Sequence, residues 1–257
     1  MQLVLSLFSG IGLLDIGFRE AGFCVVSAGD LIFGQDIREF RGISGKFEGI
    51  IGGSPCQDFS MARRTPPTGN GLAMLAEFRR VVVECSPEWW LLENVPQVPN
   101  MEIEGYQVQR FNLNATECGS VQNRNRRFQF GTKAGFVAIV KREQSTSAVR
   151  RCVTASEGKQ ADRRGFADFC ELQGLPRNFE LTEFHTAAKY RAVGNGVNVH
   201  VSRVVAAAIW ECTRRENESL FTDAKFCVCG CGRFVTGKQK SATDKCRKVL
   251  QKQRKFV

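Results

Sequence analysis

A chain of 257 residues, 43% of them hydrophobic, is long enough to bury a full core, and no apolar run approaches the roughly eighteen residues of a membrane span. Eleven cysteines, an odd number scattered through a chain of this size, argue against a disulfide scaffold and for reduced thiols in a cytoplasmic setting. The net charge of +10 is concentrated at one end: ten Lys or Arg and a single acid, Asp244, fall between positions 225 and 257, which leaves the body nearly neutral. Such a tail is either a solvated end or a set of phosphate contacts, since each neutralised phosphate releases counterions.

In chain order, "LVLSLF" predicts a first strand over residues 3–8, and the glycines that follow at once without a basic leader set it apart from a secretion signal. "SGIG" then turns into "LLDIGFREAG", a helix, and "FCVVSAGD" is a second strand closing on Asp30. "EGIIGG" is a third strand. "GLAMLAEFRRVVVECSP" reads as a helix with Leu72, Leu75, Phe78, Val82 and Val83 near helical spacing and Pro87 as its stop. "EWWLLE" is the next strand, "RFQFG" and "FVAIV" are expected to pair, residues 141–164 are polar with weak periodicity, and "NVHVSRVVAAAIWECTRRE" is a long final helix. Strands alternating with helices indicate an α/β fold with a mostly parallel sheet.

Several short stretches carry chemistry. "LFSGIG" lets backbone approach a ligand where strand gives way to helix, although Asp15 occupies the third glycine position of a dinucleotide fingerprint. Asp30 at a strand end suits ribose hydroxyls; the alternative is a tight strand–helix joint. "GGSPCQDFS" puts the Cys56 thiol on a turn just past a strand, where a core-filling cysteine would not be expected. "LLENVP" ends another strand in Glu93, either a structural acid or a carboxyl whose pKa is raised for proton donation. "QNRNRRF" sets Arg124 and Arg126 on one side of an extended segment, a fork for an anion or a polarised carbonyl if not a solvated edge.

Taken in order, "FSGIG", "SPCQDFS", "ENVP", "QNRNR" and "AVGNGV" resemble the DNA cytosine-5 methyltransferase family, over roughly residues 2–131 and 168–210. The resemblance implies a Rossmann-like S-adenosylmethionine-dependent methyltransferase sheet and a small, phage-type or solitary member of the family. It makes Cys56 the nucleophile that adds to carbon 6 of a flipped-out cytosine, activating carbon 5. Glu93 would share a proton with ring nitrogen 3, and Arg124 and Arg126 would hold the base. For the methyl donor it implies Phe8 on the adenine, Asp30 on the ribose, and Asp36 on the adenine's amino edge. Gly10, Ile11, Gly12, Ile37, Pro55 and Leu72 would line its site, with Asn195 and Val197 returning from the far end. Gln57, Ser60, Arg63, Arg64 and Gln122 would face double-stranded DNA, with residues 57–64 as a closing loop.

Only six positions separate Asp30 from Asp36, where the family usually has a longer helical connection, so one element flanking the sheet is expected to be shortened. The implied organisation is a catalytic domain over residues 1–131 and 167–216, a reduced target-recognition region over 132–166, and a basic tail over 217–257. A reader that small predicts short or relaxed sequence recognition. In the tail, Cys227, Cys229, Cys231 and Cys246 are candidate zinc ligands for a small knuckle, against the alternative of loose thiols. Cys24, Cys85, Cys118, Cys152, Cys170 and Cys212 are expected to be small buried hydrophobes, and neither His185 nor His200 sits in a ligand cluster. The chain is expected to act as a monomer without a membrane. Two other readings stay open: a catalytically silent DNA-binding protein on the same scaffold, and methylation of cytosine in RNA.

Overall fold

The computed structural model describes residues 1–61, 63 and 65–214, together with the backbone of two short antiparallel strands, Lys225–Phe226 and Phe234–Val235. Its centre is a six-stranded sheet. In chain order the strands are β1 (Leu3–Leu7), β2 (Cys24–Ala28), β3 (Gly49–Gly53), β4 (Trp89–Asn94), β5 (Gln107–Asn114) and β6 (Asn125–Thr132), and across the sheet they run β2-β1-β3-β4-β6-β5. The first four are mutually parallel, while β6 runs antiparallel to both β4 and β5.

Alternate residues of the central strands enter two different cores. Val4, Ile51, Trp89 and Leu91 pack on one face, against α1 (Leu13–Glu20) and α5 (Val199–Thr213). Leu5, Ile50, Trp90 and Leu92 pack on the other, against α2 (Asn70–Cys85). Burial on both faces is why these strands read as unbroken apolar runs and not as an alternation. α1 and α5 approach closely at Gly17, where a Cβ would lie 2.4 Å from the Ser202 backbone. Two shorter helices complete a third cluster: α3 (Phe166–Leu172) contributes Phe169 and Cys170, and α4 (Thr186–Asn195) contributes Tyr190 and Val193.

Four sequence expectations are corrected. "FVAIV" is not a strand, and β6 pairs instead with β5, which the sequence reading did not find. The reason is a side chain: the Gln109 amide accepts from Ala138 N at 2.9 Å and donates to Ala138 O at 3.0 Å, replacing a ladder partner with a single pin. On α2, Leu72 and Val83 face solvent at 58% and 54% exposure, while Val81 and Cys85 turn inward in their place. The final helix is shorter than expected, starting where the Asn198 side chain accepts from His200 N and ending at Thr213. Of the six cysteines expected in the core, Cys85, Cys118 and Cys170 are buried, whereas Cys24, Cys152 and Cys212 are half-buried. Between Asp30 and β3 the described structure has only the short 3₁₀ turn Leu31–Phe33 and loop, which leaves β2 at the sheet edge.

Candidate active site

Parallel strands deliver their C-terminal ends to one edge of the sheet, and that edge holds the chemistry. β1 runs into Phe8, a non-glycine residue held at φ 53, and Gly10, two residues on, is also at φ 53. A bulky side chain in the left-handed region is uncommon and marks a position the surrounding structure has over-determined. Just past β2 comes Asp30, whose carboxylate accepts from Gly10 N at 2.7 Å and Ile32 N at 2.8 Å, tying the first turn to the second. β3 runs into Ser54, Pro55 and Cys56, and Cys56 sits at φ −98, ψ −2, in the sparsely occupied bridge region. β4 ends at Glu93 and Asn94.

Because β6 runs the opposite way, its start lies beside the end of β4, and Arg127 registers with Asn94. This brings Arg126 to Glu93, Nε to Oε1 at 3.0 Å, with both side chains largely buried. Gly53 registers with Glu93 on the other side, and a Cβ there would come within 3.0 Å of the carboxylate. Burial pushes the Glu93 carboxyl above the ordinary carboxylate range, against the pull of the Arg126 and Arg124 charges. Burial also pushes the Cys56 thiol up, reinforced by Glu93 and opposed by Arg126 and Arg124.

The strand ends enclose a cavity of about 610 Å³. Phe8, Gly10, Ile11, Asp30, Asp36 and Ile37 line one part of it. Pro55, Cys56, Gln57, Glu93 and Arg126 line another, and Asn195 and Val197 close it from the α4–α5 connection. Asp36 is chelated by the Arg38 guanidinium, which holds its carboxyl down to about 2.

Other expected site residues lie elsewhere. Gly12 is at φ 80 in the turn before α1 and does not line the cavity. Leu72 points to solvent; its neighbours Asn70 and Met74 face the cavity instead. Gln122 is fully buried, its amide donating to Leu172 O at 2.6 Å and Gln173 Oε1 at 2.9 Å, so it presents nothing to DNA. Arg124 is 3% exposed and bonds backbone carbonyls, so the expected two-guanidinium fork is a single guanidinium, that of Arg126. Ser60 is half-buried within the loop, and Arg63 is drawn back to Asp58 at 2.9 Å. Arg64 lies outside the described residues, as do Cys227, Cys229, Cys231 and Cys246; among the described residues no cluster could hold a metal ion.

Three contributors escaped the sequence reading. Asn94 donates to Ser54 O at 2.9 Å and Ser54 Oγ at 3.0 Å, fastening the end of β4 to the turn that carries Cys56. The Asp58 carboxylate accepts from Thr68 N at 2.9 Å and Gly71 N at 2.8 Å, closing the base of the loop after Cys56. These backbone bonds hold its pKa down. Phe184, Ala188, Arg191 and Ala192 supply the wall formed by α4 and the residues before it. In the sequence, only the "N" after Glu93 and the "D" after Cys56 hinted at the first two.

The six-stranded, mostly parallel sheet is a Rossmann-like methyltransferase fold, and a thiol, a buried carboxyl and a guanidinium line the cavity at its carboxyl edge. A family profile for C-5 cytosine-specific DNA methylase matches residues 32–162, just over half of the chain, and the chain belongs to that family. Type II methyltransferase M.HgiDI of Herpetosiphon aurantiacus is 32% identical over 165 residues, 52% of this chain and 53% of that protein. Type II methyltransferase M.FnuDI of Fusobacterium nucleatum is 32% identical over 161 residues, 50% of this chain and 46% of that protein. The chain spans about half the length of these curated relatives. A solved putative DNA modification methyltransferase encoded within an E. coli prophage shares the fold at a TM-score of 0.59 and 16% identity, covering 84% of this chain and all of that one.

The cavity fits the cofactor that such a fold uses. Its volume lies in the range of small-molecule sites. A Cβ added at Gly10 would meet nothing within 4 Å, so backbone faces open space there. The buried Ser9 Oγ, on the cavity wall, has no hydrogen-bond partner in the protein, leaving a polar atom for a ligand to satisfy.

Proposed function

We propose that the chain transfers a methyl group from S-adenosylmethionine to carbon 5 of cytosine in duplex DNA, acting as a monomer and through a covalent bond from Cys56 to the base. The observation that supports it most is the convergence of Cys56, Glu93 and Arg126 at one part of a cavity whose other part carries Phe8 and Asp30. Phe8, Asp30, Ile37, Asn195 and Val197 would hold the cofactor, which supplies an electrophilic methyl group when bound.

The protein's own groups account for the rest. Burial keeps the Cys56 thiol protonated in the resting site, while the two nearby guanidiniums favour its thiolate, the form that adds to carbon 6 of the ring. Addition places negative charge on the ring, and the carboxyl of Glu93, which holds its proton above the ordinary range, offers that proton to ring nitrogen 3. Arg126 fixes the carboxyl by the 3.0 Å ion pair and can turn the rest of its guanidinium to the base. Once carbon 5 is methylated, loss of its proton to a base or water lets the cysteine leave. The target base must leave the duplex to reach this edge, at a cost of a few kcal/mol. The loop stapled by Asp58 lies next to the nucleophile, where it can cover a flipped base.

The test is transfer of labelled methyl to unmethylated duplex DNA, with matched RNA beside it and Cys56→Ser as control. Label on carbon 5 of DNA cytosine, absent with the variant, is expected; label confined to RNA, or retained by the variant, would overturn the reading. From the sequence we add zinc at Cys227, Cys229, Cys231 and Cys246; one zinc per chain in freshly purified reduced protein is the expected analysis, and metal-free protein would contradict it.

A further inference from the structure

Arg124 carries a buried positive charge whose part in the chemistry above is its field at Cys56 and Glu93, while its hydrogen bonds go elsewhere. Its Nη2 donates to the carbonyls of Gly194 and Gly196, both at 2.9 Å, and its Nη1 to Val153 O at 3.2 Å and Cys152 Sγ at 3.3 Å. Among the described residues no carboxylate pairs with it, and its Nε has no partner. A guanidinium buried without a direct ion pair is costly, and an apolar side chain would pack the same space at lower cost. The acceptors it holds therefore matter: they are backbone groups that an apolar residue could not fix.

Two of those acceptors flank Asn195, and Val197 follows directly; both residues line the cofactor part of the cavity. The Gln173 amide donates to the same stretch, to Val193 O at 2.8 Å and Gly196 O at 2.9 Å. The carbonyls of residues 193, 194 and 196 are thus all drawn away from the cavity. The remaining acceptors, at Cys152 and Val153, lie within the segment between β6 and α3. Gln122, two residues before Arg124, accepts from Val153 N at 3.2 Å and donates to Gln173, closing the network.

We propose that Arg124 is a positioning residue for the cofactor wall: its guanidinium sets the backbone of residues 194–196 so that Asn195 and Val197 meet the cofactor, and fastens that wall to Cys152 and Val153 of the 133–165 segment. This rests on the cavity being the S-adenosylmethionine site. Lysine at this position keeps the charge but offers one ammonium in place of a planar fork, and cannot serve both glycine carbonyls and Val153 together.

The experiment measures S-adenosylhomocysteine affinity by calorimetry for the parent chain and Arg124→Lys, with amide hydrogen exchange of both proteins in the absence of ligand. The expected result is an affinity loss of about tenfold and faster exchange confined to residues 193–197 and 152–154, with the amides of β4 and α2 protected as in the parent. An unchanged affinity overturns the proposal, as does faster exchange spread over the whole chain, which a merely structural residue would give. Should Arg124→Lys not fold, Gln173→Met removes the second donor to the same carbonyls and is expected to shift the same amides; no shift there overturns the proposal. A parent chain that binds no S-adenosylhomocysteine would instead sink the reading of the cavity, and the exchange data would still show whether Arg124 holds residues 194–196.

Discussion

At Glu93 the folded chain raises the pKa of a carboxyl that is 7% exposed and ion-paired at one oxygen. A carboxyl with a higher pKa folded than unfolded binds its proton more tightly in the native state. Its contribution to stability is present in full below the unfolded value, near 4.5, and is lost as pH rises through the folded value. Glu93→Gln cannot ionise, so it should gain stability relative to the parent as pH rises from about 4.5 towards neutrality, as urea unfolding across that range would show. A stability difference independent of pH would mean that the carboxyl titrates normally. The same substitution removes the proton donor and should slow methyl transfer by about 10²–10⁴-fold. Glu93 and Cys56 were legible in the sequence because each follows an apolar strand and breaks its pattern. The role of Arg124 was not: a spacing of two puts its side chain on the same side as Arg126, but the carbonyls that capture it lie 70 and 72 residues further on.

Among the elements, the loop after Cys56 is held at its base by one side chain. Asp58 receives Thr68 N, Gly71 N and the Arg63 guanidinium, and so pins both the loop and the first turn of α2. Asp58→Ala should leave the sheet and its two cores intact while making residues 59–68 about tenfold more susceptible to limited proteolysis, because the loop then opens without global unfolding. Cleavage at the parent's rate would show that the staple does not govern the loop. Strands buried on both faces, β1, β3 and β4, were readable from composition alone. β5 was not, because Gln109 stands among its inward residues; the polar side chain that disguises the strand is the one that pins Ala138 and keeps "FVAIV" out of the sheet. The connection that bears Asn195 was legible as a motif, and the side chains that fix its carbonyls were not.

On the scale of the described residues, the sheet gathers the site at one edge, and in the proposed reading the segment from β6 to α3 serves as the target reader. From β6 to α3 the only helical turn is Glu157–Lys159, and residues 143 and 150 are each fastened by backbone bonds to the 117–123 segment. Ser145 N also donates to Thr116 O at 2.8 Å, so the largely exposed stretch between anchors is residues 146–149, which in the proposed reading suffices for a few base contacts. Methylation mapping on a genome-sized substrate should therefore show a short or relaxed target. One strict site of six base pairs would contradict a reader of this size. The alternation of strands and helices made the architecture legible from the start, whereas the division of labour between Arg124 and Arg126 depends on contacts that only the folded chain brings together.

The proposed bond between Cys56 and the target base can be trapped. In duplex DNA carrying 5-fluorocytosine, the fluorine at carbon 5 cannot depart as the proton does, so the adduct persists after methyl transfer. With S-adenosylmethionine present, a protein–DNA complex stable to denaturant should form, with the link mapped by peptide sequencing to Cys56, and Cys56→Ser should form none. A link at another residue, or methylated product with no complex at any time, would contradict the account.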